Sequence, residues 1–179
     1  MMRGVTFAAV LLLAGCASPV VTRIDATAPV PIAPRASFAI APVPDDLGVL
    51  PGQARDMVAA ALRQRGWRQA QEGDYLLAVT LADRPATITL KTGDDFGKPV
   101  ATLAPAADRS NNQGCAKRDH RLTITLTDRV SGAIAFSGAA SEYHCKAALN
   151  DTLPYLVSAA VDRLDAGSGT LQVARKGRR

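Results

Sequence analysis

The chain is expected to be an α+β protein: a two-layer sandwich with a mostly antiparallel, four- to five-stranded sheet and two helices on one face. Three observations carry this. Two segments, near residues 52–65 and from about residue 150, place apolar side chains at helical spacing. Most of the intervening chain alternates with period two. The order strand, helix, two to four strands, helix leaves each helix one apolar stripe that a sheet face would cover.

The elements follow in order. Residues 1–15 have the layout of a secretory signal peptide: Arg3, an apolar core over 5–13, then small Ala14 and Gly15. The apolar run is shorter than the ~20 residues a spanning helix needs. Residues 16–35, with Pro19, Pro29, Pro31 and Pro34, are expected to be a Pro-rich extended tether. A first strand is expected over 36–42, with Phe38 and Ile40 on one face. Ala54, Met57, Val58, Ala61 and Leu62 then form a helical stripe that Pro51 opens and Gly66 caps. Trp67 is expected to pack that helix end on the sheet.

Leu77, Val79 and Leu81 share a face of the next strand, which Pro85 kinks or splits. Residues 91–117 read as a long loop with a short strand at 99–103. Leu122, Ile124 and Leu126 alternate with threonines before "DRVSG" turns the chain back toward His144, a β-hairpin. Asn150 or Asp151 is expected to cap the last helix, whose stripe is Leu153, Leu156, Val157, Ala160, Val161 and Leu164. Gly167 to Gly169 end it, and residues 166–179 are expected to be a basic flexible tail. The parallel pair flanking the first helix is the expected exception to an antiparallel sheet. The folded domain is therefore placed at 36–165.

Leu13-Ala14-Gly15-Cys16 resembles the bacterial lipobox read by lipoprotein signal peptidase. That resemblance implies that Cys16 becomes the mature amino terminus and carries acyl chains such as palmitate. Two or more chains hold a protein on a membrane, at ~0.8 kcal/mol per buried methylene. Ala17, in place of a retaining aspartate, favours the outer membrane facing the periplasm. "LRQRGWRQAQEGDYLLAVTL", with Gly66-Trp67 closing a helix and Asp74-Tyr75 opening a strand, resembles the bacterial lipoprotein domain-of-unknown-function family 4136. The resemblance covers about residues 36–165 and carries no catalytic residue.

The formal charge of +5 includes Arg3, so the mature chain stands near +4. Part of that excess is the terminal "ARKGRR", and nothing in it calls for nucleic acid. The sequence lacks Gly-x-Ser-x-Gly, His-Glu-x-x-His, a phosphate loop and Cys-x-x-Cys, so no catalytic residue, cofactor or metal is assigned. His120, His144, Cys115 and Cys145 are a possible four-ligand group whose spacing matches no common zinc pattern. Asp45-Asp46 and Asp94-Asp95 read as turn residues ahead of paired acids. Lys117, Arg118 and Arg121 are a candidate anion-binding cluster for a glycan or lipid head group, set against a charged strand edge that discourages pairing.

With Cys16 committed to lipid, Cys115 and Cys145 are expected to form a disulfide in an exported protein. A hairpin turn centred on Val130 would set Thr127 opposite Ala133, Leu126 opposite Ile134, and Cys115 opposite Cys145. The expected function is a non-catalytic, membrane-anchored envelope lipoprotein that binds or scaffolds another envelope component, an unknown protein or glycan. The alternative is a small periplasmic hydrolase or metal-dependent enzyme with a site near the 91–117 loop.

Overall fold

The computed structural model describes residues 19–30, 32–42, 48–86, 88–93, 98–104, 117–145 and 147–176. In chain order these form β1 (Pro19–Thr27), β2 (Ser37–Ile40), α1 (Val49–Gln64), β3 (Arg68–Gln69), β4 (Tyr75–Pro85), β5 (Leu90–Gly93), β6 (Pro99–Ala104), β7 (Arg118–Asp128), β8 (Ile134–His144), α2 (Leu149–Asp162) and β9 (Gly169–Lys176). The α+β class holds. The main sheet has seven strands in the order β3-β2-β4-β7-β8-β1-β9, and β5 pairs with β6 apart from it.

Four or five strands were expected, and the excess comes chiefly from the two ends of the described chain. The segment read as a tether holds β1, antiparallel to both β8 and β9. Its prolines bracket the strand: Pro19 opens it and Pro29 follows its end, both positions that a strand tolerates. Between them Thr22, Ile24 and Ala26 turn inward and are buried. The segment read as a flexible tail holds β9, whose Leu171 and Val173 alternate with Thr170 and Gln172. The folded unit therefore reaches past 36–165 on both sides.

As expected, β2 and β4 run parallel across the α1 connection. Ser37 and Asp74 pin this pair. The Ser37 backbone N–H and hydroxyl donate to Asp74 Oδ2 at 3.1 and 2.6 Å, and the Asp74 N–H donates back to Ser37 Oγ at 2.9 Å. These bonds favour the charged carboxylate and hold Asp74 below its ordinary pKa.

The end of α1 is a Schellman motif: Trp67 N–H reaches Leu62 O at 3.1 Å, and Gly66 N–H reaches Arg63 O at 2.9 Å. Gly66 supplies the φ of 85° that the motif requires and that a Cβ would resist. Trp67 then folds onto Phe38 and Tyr75, with ring centroids 6.4 and 6.0 Å away. No side chain caps α2: its N-cap is Ala148, in extended conformation, and Asn150 and Asp151 lie in the first turn. The core joins Ala54, Val58 and Leu62 of α1 and Leu153, Leu156 and Val161 of α2 to Leu77, Leu122, Ile124 and Phe136 of the sheet.

The β7–β8 hairpin forms in a different register from the one expected. Thr127 lies opposite Ile134, a bulge follows, and Leu126 lies opposite Phe136; the ladder then runs to Arg118 opposite His144. The turn is wider than a Val130-centred one. Asp128 Oδ1 accepts from the Val130 N–H, Ser131 N–H and Ser131 hydroxyl, which holds the chain in a longer loop. The bulge then displaces the partner strand by one more residue. Cys145 follows the last pair of this ladder. Cys115 itself, with Asp45-Asp46 and Asp94-Asp95, lies outside the described residues.

Candidate functional site

Strand alternation sorts the sheet's side chains into cross-strand rows, and two of the rows facing the core are apolar. One is Leu81, Leu122, Ala140 and Ile24; the other is Val79, Ile124, Gly138 and Ala26. The next row, two residues along, is Asp83, His120, Glu142 and Thr22. Polar side chains thus gather where β4 and β8 end and β7 and β1 begin, beside the first turns of α2.

Glu142 is the centre of this cluster and is 0% exposed. Its carboxylate accepts from Thr22 Oγ1 at 2.5 Å, from Arg175 Nε and Nη2 at 3.0 and 2.6 Å, and from His144 Nε2 at 2.8 Å. Burial pushes its pKa up, but the bonds from His144, Arg175 and Thr22 prevail and lower it to about 2. The Arg175 guanidinium also lies 3.8 Å from the Tyr155 ring centroid on α2, a cation–π contact.

His120 sits beside this group at 1% exposure, its ring stacked on His144 at 5.1 Å. Thr152 Oγ1 spends its one proton on Leu149 O at 2.9 Å, so at 2.9 Å from His120 Nδ1 it accepts. Neutral His120 therefore carries its proton on Nδ1 and turns a bare Nε2 toward Asp83 Oδ1, 3.6 Å away. Burial lowers the His120 pKa; Asp83 opposes that and His144 adds to it. Asp83 in turn holds Arg118 at 2.7 Å. On the opposite sheet face Arg84 and Asp119 make a further ion pair at 2.6 Å.

The expected site residues divide. His120 and His144 do meet, but they face Asp83, Thr152 and Glu142, and no metal-binding group of three His, Cys, Asp or Glu occurs among the described residues. Of Lys117, Arg118 and Arg121, Arg118 turns to Asp83, and Arg121 takes the alternate face of β7. Lys117 has an interaction of its own. Sequence reasoning missed Glu142 and Thr22, and it placed Arg175 in a basic tail. The alternation of Leu171, Val173 and Arg175 was the available signal, masked by reading the segment as a tail.

No family model matches the chain, and no curated protein sequence matches it. Solved structures do. A PDZ domain protein from Parabacteroides distasonis superimposes with a TM-score of 0.60 at 11% identity, over 87% of this chain and 38% of that one. The chain thus spans well under half of that protein, and the likeness is one of fold. Two PelC dodecamer structures from Paraburkholderia phytofirmans, one of a variant, give TM-scores of 0.45 and 0.46 at 16% identity, each over 80% of this chain and 96% of theirs. No helix among the described residues is long and apolar enough to cross a membrane.

Proposed function

We propose that this protein is a non-catalytic envelope lipoprotein, anchored through lipid on Cys16 and binding another envelope component. The observation that carries the reading is the closeness of sheet and cysteine. β1 begins at Pro19, three residues after Cys16, a reach of at most about 11 Å. A lipid there holds the polar end of the sheet against the membrane, where Pro19 of β1 pairs with basic Lys176 of β9. The outer membrane, facing the periplasm, is the location that Ala17 favours. The resemblance to family 4136 implies the same placement, and with it we propose a two-layer arrangement with both helices on one sheet face.

The polar cluster supports the non-catalytic half. Its carboxylate, imidazoles and guanidinium are bonded to one another, and Glu142 is closed to solvent, which suits a structural network better than an acid–base site. In an exported chain Cys145 and Cys115 are the remaining thiol pair. We retain their disulfide as a proposal on the compartment argument. Two maleimide-reactive thiols in the unreduced, denatured mature protein would sink it.

Cys16→Ser tests the anchor. In cells given labelled palmitate, the parent chain takes up label and sediments with membranes, whereas the variant takes up none and accumulates as precursor. A variant that is processed and distributed like the parent overturns the reading.

A further inference from the structure

The two edges of the sheet are unlike. β3 is two residues long, but β9 is eight residues long and last in the strand order, so one side of its backbone has no strand beside it among the described residues. A groove of about 290 Å³ lies between that edge strand and α2. Ile24, Leu171 and Val173 line it from the sheet, and Tyr155 and Ala159 from the helix. Leu171 and Val173 are each 45% exposed, unusual for apolar residues on the core-facing side of a strand.

The charges say what fits. Asp162, Arg163 and Arg175 line the groove. Arg65 holds Asp162, and Glu142 holds Arg175. Arg163 is different: its Nε is buried without a partner, and Nη2 only reaches Ser168 O at 3.4 Å. It lies over the start of β9, since a Cβ on Gly169 would come within 2.9 Å of Nη2. The groove therefore has an apolar middle and an undersatisfied cation at one end.

We propose that β9 and this groove bind an extended acidic-apolar segment of a partner protein. The segment adds to the β9 edge, sends alternate apolar side chains toward Leu171 and Val173, and places a carboxylate on Arg163. A second copy of this chain fits poorly. Its own β9, "GTLQVARK", holds no carboxylate for Arg163 and brings two further cations. The inference rests on the binding half of the reading above, but it needs no lipid, so a failure of palmitate labelling and a failure of peptide binding are separate results.

The test is to pan phage-displayed random octapeptides on the full mature chain in detergent micelles, then to synthesise the enriched peptides. Expected are sequences with apolar residues at alternate positions and at least one Asp or Glu. Their binding should fall tenfold or more with Leu171→Glu and with Arg163→Gln, two substitutions outside the closed core. Amide hydrogen exchange in β9 should slow in the complex. Absence of enrichment overturns the proposal. So does enrichment of peptides that ignore both substitutions, or self-association in sedimentation that Leu171→Glu abolishes, which would give the groove to a second copy.

Discussion

Two adjoining rows of one sheet face are built from the same four strands by opposite physics. Leu81, Leu122, Ala140 and Ile24 meet as an apolar row; two residues along, about 7 Å away, Asp83, His120, Glu142 and Thr22 meet as a polar one. The apolar row derives its stability from area removed from water and tolerates any pH. The polar row must offset the desolvation of a charge, which it does only while every partner is present and in the right protonation state. The comparison teaches that one end of the core is a store of stability and the other a conditional latch. The latch also reaches farther along the chain, because Glu142 ties β8 to β1 through Thr22 and to β9 through Arg175.

The largest expected effect is at the apolar end. Phe136→Ala removes a fully buried ring next to Leu126 and should cost about 3–5 kcal/mol, measured by urea unfolding. That cost should be the same at pH 5 and pH 8. A loss that grows with acid would break the division between the two rows.

Acidification sharpens the comparison from the other side. Glu142 has a folded pKa of about 2 against an ordinary 4.5, so its contribution is fully present above pH 4.5 and is lost as pH falls from 4.5 through 2. That contribution is about 3 kcal/mol. His120 acts earlier. Its folded pKa is depressed, so the unfolded chain binds a proton first and stability declines as pH drops below 6.5. Glu142→Gln should cost about 1.5–3 kcal/mol at pH 7 by removing the charge that Arg175 faces. It should shrink the limb between 4.5 and 2 while sparing the one below 6.5. Asp74 and Asp128, both held low by serine hydrogen bonds, keep part of the lower limb. An unchanged lower limb in the variant would remove Glu142 from this role.

The apolar rows were legible in the sequence and the polar row was not, for a reason of range. Leu122, Ile124 and Leu126 announce their face by local alternation, as do Leu153, Leu156 and Val157 by helical spacing. Gly66-Trp67 announces a helix end through chemistry confined to a few residues. Glu142 belongs to the site only because β1 and β9 pair beside β8. Those strands lie at opposite ends of the described chain, and each sat in a segment that prolines or basic residues made look unstructured. The hairpin register failed at smaller scale: Asp128 widened the turn and a bulge followed, so a count from Val130 drifted by two. Alternation shows which face a residue takes, but it does not show which strand lies alongside.

The smallest effect isolates geometry from charge at the latch. Arg175 meets Glu142 with two nitrogens and lies over the Tyr155 ring; Lys would keep the charge but replace the planar fork with a single ammonium. Arg175→Lys should therefore cost about 1 kcal/mol at pH 7, much less than removing the carboxylate, because Glu142 keeps a cation and its bonds from Thr22 and His144. Part of that loss belongs to the ring contact. Tyr155→Leu, which keeps an apolar side chain on α2, should cost about 0.5–1 kcal/mol alone and less in the Arg175→Lys background. Urea unfolding of the four proteins of this cycle gives the coupling directly. Additive losses would mean that Tyr155 packs on the groove without feeling the guanidinium. A loss in Arg175→Lys as large as in Glu142→Gln would mean that the fork, and not the charge, holds β9 to the sheet.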